Sequence, residues 1–354
     1  MDPRVEHLIN LPKVEQRSKE WFDLRSNMIT ASSAANLLNR NSKTCDPYIK
    51  TFKLEDIFDK DGKCCNPYSS RNQYILEKCR GSKFKGSVAT LWGQQYEDVV
   101  CDLYRNKYNT DVLDFGIIQH PEHKWLGASP DGITPGGVML EIKCPFRRKI
   151  TGVTPLYYWI QVMLQLEVCG LDDCDFAEYE FMEFSSEEEF LDDETLDKTV
   201  HHKGLMIKIE TLTEETPDPF ENGYVYPPRN LLDKTDDLLD WVKVKMRETM
   251  ESFSRDEQVT KVVSPIYWKV VDYSIVRLKR DKEWFENVRP DFEKAWNEIL
   301  FYRKGNNYRH LVTKDTEGDN SIDELSGKVL HLDISSNACL LSESEDEECA
   351  LEDD

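Results

Sequence analysis

The spacing of apolar residues along the chain predicts helices of two kinds. Amphipathic periodicity over residues 87–109 indicates a long helix with one buried face. Residues 157–168 are almost wholly apolar and indicate a buried helix that ends at Gly170. Helical spacing also marks a helix-rich unit at 15–40, where a serine pair could cap a second helix. Two further helices are expected later in the chain, at 233–253 and 280–302.

Alternation of apolar and polar residues predicts the strands. They are residues 112–118, 124–128, 137–143, 176–184 and 266–278, with a hairpin around 205–212. Residues 41–85 show neither periodicity, and we expect a long loop or short helices there. A helix, three strands, a helix and a strand in this order are typical of an α/β core with mixed strand pairing.

Composition and charge change this picture in one respect. The chain has 354 residues, 39% of them hydrophobic, which is enough to bury a core. Its formal charge of -22 argues against a nucleic-acid-binding protein, which is usually basic. The charge is unevenly spread, however, because residues 1–150 carry 23 basic and 19 acidic side chains. The first half of the chain is therefore mildly basic, and the negative charge belongs to the second half.

The acidic segments suggest where the domain ends. We expect one α/β domain over residues 1–305, interrupted by an acidic insertion at about 185–257. Residues 306–354 carry 14 acidic and 3 basic side chains and are predicted to be a disordered tail. The N-terminus lacks a signal-peptide apolar run, and no stretch approaches the ~20 apolar residues of a membrane span. We therefore expect a soluble, intracellular protein without a membrane association.

The ten cysteines are irregularly spaced, which favours free thiols over a disulfide framework. Cys64 and Cys65 with Cys45 or Cys79 form the one arrangement that suggests zinc. Their spacing fits no common zinc finger, so plain thiols are the favoured interpretation.

The sharpest chemical feature is Ser129-Pro130-Asp131-Gly132 followed by Glu141-Ile142-Lys143, with nine residues between Asp131 and Glu141. On a strand, Glu141 and Lys143 point to the same face, and a hairpin can return Asp131 to that face. Two carboxylates and a backbone carbonyl are hard oxygen ligands suited to Mg²⁺ or Mn²⁺. A neighbouring lysine can orient water or stabilise charge at a phosphate, as metal-dependent phosphodiester cleavage requires. The alternative is an edge strand whose charged residues are merely solvated.

Two companions favour the nuclease interpretation. Glu97 lies on the amphipathic helix after Trp92 and Tyr96, where a carboxylate must be paired, reach solvent or bind a cation. Gln161 and Gln165 lie one helical turn apart within the apolar helix. Their amides can bond a phosphate, although a buried structural network is the alternative.

Four separated blocks resemble the lambda-exonuclease and YqaJ-type viral recombinase nucleases of the PD-(D/E)xK class. The blocks are residues 21–32 (WFDLRSNMITAS), 91–97 (LWGQQYE), 129–132 with 140–146 (LEIKCPF), and 158–161 leading into 176–179. They occur in the family's order and at similar spacing. The resemblance covers about residues 15–184 and, more loosely, 266–302. It implies a restriction-endonuclease-like PD-(D/E)xK core, with a central mixed sheet flanked by helices.

The resemblance also implies residue roles. Asp131, Glu141, Glu97 and the Ile142 carbonyl would ligate Mg²⁺, with Mn²⁺ as a substitute, and Lys143 would position or deprotonate the attacking water. Gln161 matches the family's helix glutamine near the active centre. Residues that hold the 5′-phosphate of the digested strand in the family correspond to Arg25, Ser32 and Ser129. The family has a further acid before the Ser-Pro-Asp-Gly turn, where this chain has His120-Pro121-Glu122-His123. We expect loop residues there.

Basic clusters provide candidate contacts to the DNA backbone. They are Arg147, Arg148 and Lys149 after the catalytic strand, Arg80, Lys83 and Lys85 before the Glu97 helix, and Arg277, Lys279, Arg280 and Lys282. Each cluster alone is more often a solvated face.

Together these features predict a Mg²⁺-dependent 5′-to-3′ exonuclease that digests linear duplex DNA from 5′-phosphorylated ends in viral recombination, replication or repair. The alternatives are a structure-specific endonuclease of the same fold and a catalytically idle DNA-binding scaffold. The resemblance further implies a homotrimer around DNA, a single-strand annealing protein as a partner, and the host cytoplasm or nucleus as the location.

Overall fold

The structure is a computed structural model that describes residues 1–14, 18–38, 70–80, 87–193, 202–212, 222–253, 260–305 and 307–311. Residues 1–307 form one compact unit. Its helices are α1 (Pro3–Ile9), α2 (Lys19–Ser26), α3 (Arg71–Arg80), α4 (Val88–Tyr108), α5 (Leu156–Cys169), α6 (Glu187–Asp192), α7 (Thr235–Ser252) and α8 (Lys282–Gly305). Short 3-10 helices occupy Ala31–Leu37, Arg229–Leu231 and Asn307–Leu311. Among the helices in these ranges, none combines the length and apolarity needed to cross a membrane.

The strands are β1 (Ile29–Thr30), β2 (Ile118–Gln119), β3 (Leu126–Ala128), β4 (Gly132–Ile133), β5 (Val138–Lys143), β6 (Asp173–Phe184), β7 (Lys203–Leu212), β8 (Gly223–Val225) and β9 (Thr260–Lys279). Six of them form the central sheet in the order β4-β5-β6-β9-β7-β8. Only β5 and β6 pair in parallel in this sheet, and helix α5 makes the crossover between them. The predicted α/β fold with a mixed sheet flanked by helices is therefore confirmed.

Two helices position the site, and both confirm the prediction from periodicity. Helix α4 begins at a Ser87–Thr90 capping box and ends where Asn109 adopts the left-handed conformation (φ 47°). Its buried face includes Tyr96, Val100 and Leu103, which pack on the central sheet. Helix α5 is buried on almost every side and ends at a left-handed glycine, Gly170 (φ 67°). Such a helix lies at a fixed depth and can place polar side chains inside the protein.

Several local predictions were wrong. The second helix at 15–40 is a 3-10 segment, because residues 29–30 first pair in parallel with β3. Residues 71–80 form helix α3 within the stretch predicted to be irregular, although most of 41–85 lies outside the described residues. The strand predicted at 112–118 is reduced to one bridge, Leu113 with Ile133, and to the start of β2.

The hairpin predicted around 205–212 is longer than expected, because these residues form only its first strand and β8 forms the second. All ten residues of β7 pair with β9, and β8 then pairs with β7. The acidic segment predicted as an insertion therefore contributes two strands and helix α7 to the edge of the central sheet. A second apolar cluster, including Phe190, Leu205, Leu238 and Tyr267, holds this edge together. The predicted domain limits themselves stay predictions, and the tail beyond residue 311 lies outside the described residues.

Close packing between β7 and β9 predicts a strong effect of one methyl group. Gly204 lies opposite Trp268, and a Cβ added to it would lie 2.4 Å from the indole ring. Because Trp268 is fully buried and cannot move aside, Gly204→Ala is expected to lower the free energy of unfolding by about 1–3 kcal/mol. Urea denaturation followed by circular dichroism measures this change.

Gly93 provides the matched control for this prediction. It lies inside helix α4, and a Cβ added to it would have no neighbouring atom within 4 Å. Gly93→Ala is therefore expected to stabilise the protein by about 0.5–1 kcal/mol. Equal unfolding midpoints for Gly204→Ala and the wild type would contradict the packing described for β7.

Candidate active site

The β4–β5 hairpin brings the two predicted carboxylates together. Asp131 lies just before β4, and Gly132 pairs with Leu140, directly before Glu141 on β5. Asp131 Oδ2 accepts a hydrogen bond of 2.7 Å from the backbone N–H of Ile142. The turn thus returns Asp131 to the strand that carries Glu141, as the predicted hairpin required.

Helix α5 holds the Glu141 carboxylate, which is 1% exposed. Gln161 Nε2 donates to its Oε1 at 2.6 Å, and Gln165 Nε2 donates to its Oε2 at 2.7 Å. Lys143 Nζ also donates to Oε1 and lies 5.0 Å from the centroid of the Tyr158 ring. A buried carboxylate needs such partners, and three donors from two elements fix its orientation.

A cavity of about 200 Å³ opens over this carboxylate. It combines the predicted acids and lysine with the predicted phosphate-binding residues. Its lining is Arg25, Thr30, Ala31, Ser32, Ser129, Asp131, Glu141, Lys143, Gln161 and Gln165. Residues from α2, the 3-10 segment, the β4–β5 hairpin and α5, up to 140 positions apart in the chain, therefore share one cavity.

Three buried polar atoms on this cavity make no hydrogen bond within the described part of the chain: Thr30 Oγ1, Ser129 Oγ and Gln165 Oε1. Buried polar groups are nearly always satisfied by protein, water or ligand. Water or a polar ligand in the cavity would therefore satisfy these three atoms.

The charges at the site favour a cation beside the carboxylates. Burial, and then the charges of Glu141 and Glu97, raise the pKa of Asp131 well above its usual range. A divalent cation would remove this repulsion, and carboxylate oxygens are ligands that Mg²⁺ prefers. Asp131 and Glu141 thus fit such an ion in charge and chemistry.

The same carboxylates favour the charged form of Lys143. Burial lowers its pKa, but the charges of Glu141 and Asp131 and the neighbouring Tyr158 outweigh that effect, so the pKa of Lys143 is raised above its usual value. Lys143 is therefore an ammonium group at neutral pH.

The other predicted metal ligands are less directly placed. Glu97 on α4 is close enough for its charge to raise the pKa of Asp131 and of Cys144, yet it does not line the cavity. Among the described residues, no group of three or more His, Cys, Asp or Glu side chains is arranged as a metal site. The ligand set therefore stays a prediction that rests on Asp131 and Glu141.

The predicted phosphate receptor has the character of an anion site. Arg25 Nη2 donates to Ser32 Oγ at 3.4 Å, and its guanidinium lies 4.4 Å from the centroid of the Trp21 ring. Burial lowers the pKa of Arg25, and no carboxylate among the described residues pairs with it. A partly buried guanidinium beside unsatisfied hydroxyl groups is well suited to a phosphate.

The predicted basic clusters divide into two kinds. Arg148 forms an ion pair with Glu178, which is 1% exposed, and Arg277 and Arg280 pair with Asp175 and Glu167. These arginines compensate buried acids of the sheet and of α5. Arg147 is exposed and lies over the Phe146 ring at 5.5 Å, which leaves it available to DNA. Lys83 and Lys85 lie outside the described residues.

The loop before the Ser-Pro-Asp-Gly turn is structural. His120 is 4% exposed, and its Nδ1 accepts hydrogen bonds from the backbone N–H groups of Glu122 and His123. Its ring also stacks on Phe285. This agrees with the expectation that the two histidines are loop residues.

Two polar lining residues, Thr30 and Gln165, were missed as site residues. Thr30 lies on β1, a two-residue strand that the sequence pattern did not predict. Gln165 was noticed one turn from Gln161, but only the structure shows that the two amides hold opposite oxygens of one carboxylate.

Comparison with known proteins bears on these residues. Residues 20–172 match the family model of the YqaJ-like viral recombinase domain. The predicted family resemblance is confirmed. This range contains every residue that lines the cavity, from Arg25 to Gln165.

The relatives extend beyond that range. An uncharacterized protein of Acanthamoeba polyphaga mimivirus is 29% identical over an alignment of 332 residues, which covers 85% of this chain and 55% of that protein. This chain thus spans about half the length of that relative.

Solved structures of exonucleases are similar at a low level. An alkaline exonuclease from Laribacter hongkongensis is 17% identical with a TM-score of 0.43, covering 89% of this chain and 100% of that chain. The structure of its complex with dAMP is 18% identical with a TM-score of 0.43, at the same coverage. A phage related exonuclease from Haemophilus somnus 129PT is 12% identical with a TM-score of 0.37, covering 79% of this chain and 97% of that one.

Proposed function

We propose that this chain is a Mg²⁺-dependent 5′-to-3′ exonuclease that hydrolyses linear duplex DNA from 5′-phosphorylated ends during viral recombination, replication or repair. The observation that carries the proposal is a single cavity that combines Asp131, Glu141 and Lys143 with Arg25 and Ser129. The match of residues 20–172 to a viral recombinase domain supports the same class of activity.

Asp131, Glu141 and the Ile142 carbonyl would hold the cation, which would supply Lewis-acid stabilisation of charge at the scissile phosphate. Gln161 and Gln165 keep the Glu141 oxygens in one orientation through their amides. The two glutamines, one helical turn apart, bond different oxygens and so restrict rotation of the carboxylate.

Lys143 would hold the attacking water and stabilise negative charge on the phosphate. Its Nζ donates a hydrogen bond to the Glu141 carboxylate, which keeps it beside the proposed cation.

Arg25, Ser32 and Ser129 would bind the terminal 5′-phosphate. These residues line the same cavity as the carboxylates. A terminal phosphate bound there would place one of the first phosphodiester bonds of the DNA strand next to Asp131 and Glu141. This juxtaposition favours an exonuclease over an endonuclease, which has no need of an end receptor.

The proposal predicts a preference for phosphorylated ends. The purified chain with Mg²⁺ is expected to digest a 5′-phosphorylated linear duplex at least about tenfold faster, in kcat/KM, than the 5′-hydroxyl form, since charge-assisted hydrogen bonds to a phosphate are strong. A covalently closed circle of the same sequence should remain intact.

Each outcome of this experiment is informative. Cleavage of the circle would support the endonuclease alternative, and binding of all three DNAs without cleavage would support an idle scaffold. Equal digestion of phosphorylated and hydroxyl ends would contradict the phosphate receptor. Trimer formation and a single-strand annealing partner are further proposals that rest on the family resemblance alone.

A further inference from the structure

Three cations from three helices meet behind the proposed phosphate receptor. Lys78 on α3 directs its Nζ to the backbone carbonyl of Arg25 in the last turn of α2. Arg303 on α8 donates through Nη2 to the Ser26 carbonyl at 2.5 Å and to the Lys78 carbonyl at 2.7 Å. Its Nη1 donates to Asn27 Oδ1 at 3.3 Å, at the cap of α2. The end of α2 is thus tied to helices far away in the chain.

These contacts satisfy a general need of a helix end. The last carbonyls of a helix have no partner within the helix and carry the negative end of its dipole, so cations nearby stabilise them. Here the last turn of α2 also carries the guanidinium that lines the cavity, 3.4 Å from Ser32 Oγ. Any movement of this turn therefore moves Arg25 relative to Ser32.

The arrangement has an electrostatic cost. Burial, and then the charges of Arg25 and Arg303, lower the pKa of Lys78 to about 7, while Glu77 on α3 partly opposes this effect. Lys78 Nζ also lies 5.4 Å from the centroid of the buried Tyr74 ring. All three cations are partly buried, and an anion in the neighbouring cavity would reduce the repulsion among them.

We propose that Lys78 and Arg303 are positioning residues for the terminal-phosphate receptor, which hold the end of α2 so that Arg25 faces a 5′-phosphate. This inference rests on the proposed function, because Arg25 is the residue that touches the phosphate. It adds two residues that neither the motif blocks nor the cavity lining identifies. It also assigns helices α3 and α8 a part in recognition of the DNA end.

The test compares Lys78→Met, which keeps the length of the side chain but removes its charge and donor, with Lys78→Arg and the wild type. Lys78→Met is expected to raise KM for 5′-phosphorylated duplex about tenfold, because a hydrogen bond from a charged group is lost. The values of kcat, and KM for 5′-hydroxyl duplex, should stay within about twofold. Lys78→Arg should restore the preference, and the exposed Lys124→Met is the matched control.

Binding without turnover gives a second readout. Fluorescence anisotropy with Ca²⁺ should show the same selective loss of affinity for phosphorylated ends in Lys78→Met. Arg303→Met, which removes the contacts to Ser26 and Asn27, should show it as well. This variant keeps the inference testable if Lys78→Met does not fold, as judged by circular dichroism.

The pH dependence separates charge from shape. Because Lys78 loses its proton above a pKa of about 7, the wild-type preference for phosphorylated ends should fall as pH rises from about 6 to about 8. Lys78→Arg stays charged and should lack this fall. The second ionisation of the phosphate itself, near pH 6, affects both proteins alike, so their difference reports Lys78.

The outcomes distinguish this inference from the proposed function. No preference for phosphorylated ends in the wild type would contradict the receptor itself. A wild-type preference that persists in both Lys78→Met and Arg303→Met would overturn only the positioning role. Equal losses on both kinds of end would also overturn it, since they indicate a structural effect.

Discussion

Glu141→Gln is expected to lower kcat for linear duplex DNA on the order of a thousandfold or more, the range seen when a group that stabilises charge in a transition state is removed. The glutamine has nearly the same shape but no charge. It would offer an amide nitrogen to a site where Lys143, Gln161 and Gln165 all donate, so at least one donor loses its acceptor. The variant should therefore no longer bind the cation, and the side chain at position 141 should no longer be held in one orientation.

Two measurements check this prediction. Isothermal titration with Mn²⁺ should show binding to the wild type and none to Glu141→Gln, while anisotropy should show that DNA is still bound. Glu122→Gln is the control, because Glu122 is exposed on the loop that departs from the family's further acid. A Glu141→Gln protein that keeps more than about a tenth of the wild-type kcat would contradict the assignment.

Lys143→Met is the second large effect. Its ammonium contacts the Glu141 carboxylate and the Tyr158 face, and no other lysine or arginine among the lining residues lies on β5. Loss of this ammonium group should lower kcat by about 10²–10³-fold, because it would stabilise the negative charge that develops on the phosphate in the transition state. Affinity for DNA should change little, because contacts between other basic side chains and the phosphate backbone of the DNA are expected to supply most of the binding energy.

Single-turnover digestion measures the chemical step of this variant directly, with Lys124→Met as the control for the loss of one positive charge. Lys143→Met with a wild-type single-turnover rate would exclude Lys143 from the chemistry. A loss that appeared only as weaker DNA binding would reduce Lys143 to a backbone contact.

The sequence was most informative where the interactions are local. A hairpin with an acid at its turn and an alternating Glu-Ile-Lys strand is fixed by period-2 geometry, and Asp131, Glu141 and Lys143 lie in one cavity as expected. Helices α4 and α5 follow from apolar periodicity and from the Asn109 and Gly170 ends. The roles of these residues stay predictions, because geometry alone does not measure chemistry.

Long-range pairing explains the failures. Strand β7 forms the expected local pair with β8, but its longer pairing is with β9, which lies about sixty residues later and pairs with β7 along its whole length. Arg148 stays a predicted DNA contact, but the sequence did not show that it also pairs with Glu178, the buried acid that the parallel register of β5 and β6 sets opposite Lys143. Thr30 lines the cavity and Lys78 contacts the Arg25 carbonyl behind it, and both lie on elements whose positions depend on tertiary contacts.

The most direct test of the central claim follows the release of acid-soluble nucleotides from a 5′-phosphorylated linear duplex. Wild-type protein and Asp131→Asn, purified identically, are each assayed with Mg²⁺ and with a chelator. The account predicts release only by the wild type and only with Mg²⁺, because the Asp131 carboxylate beside Glu141 is required to hold the cation. Equal release by Asp131→Asn, or release by the wild type in the chelator, would contradict it.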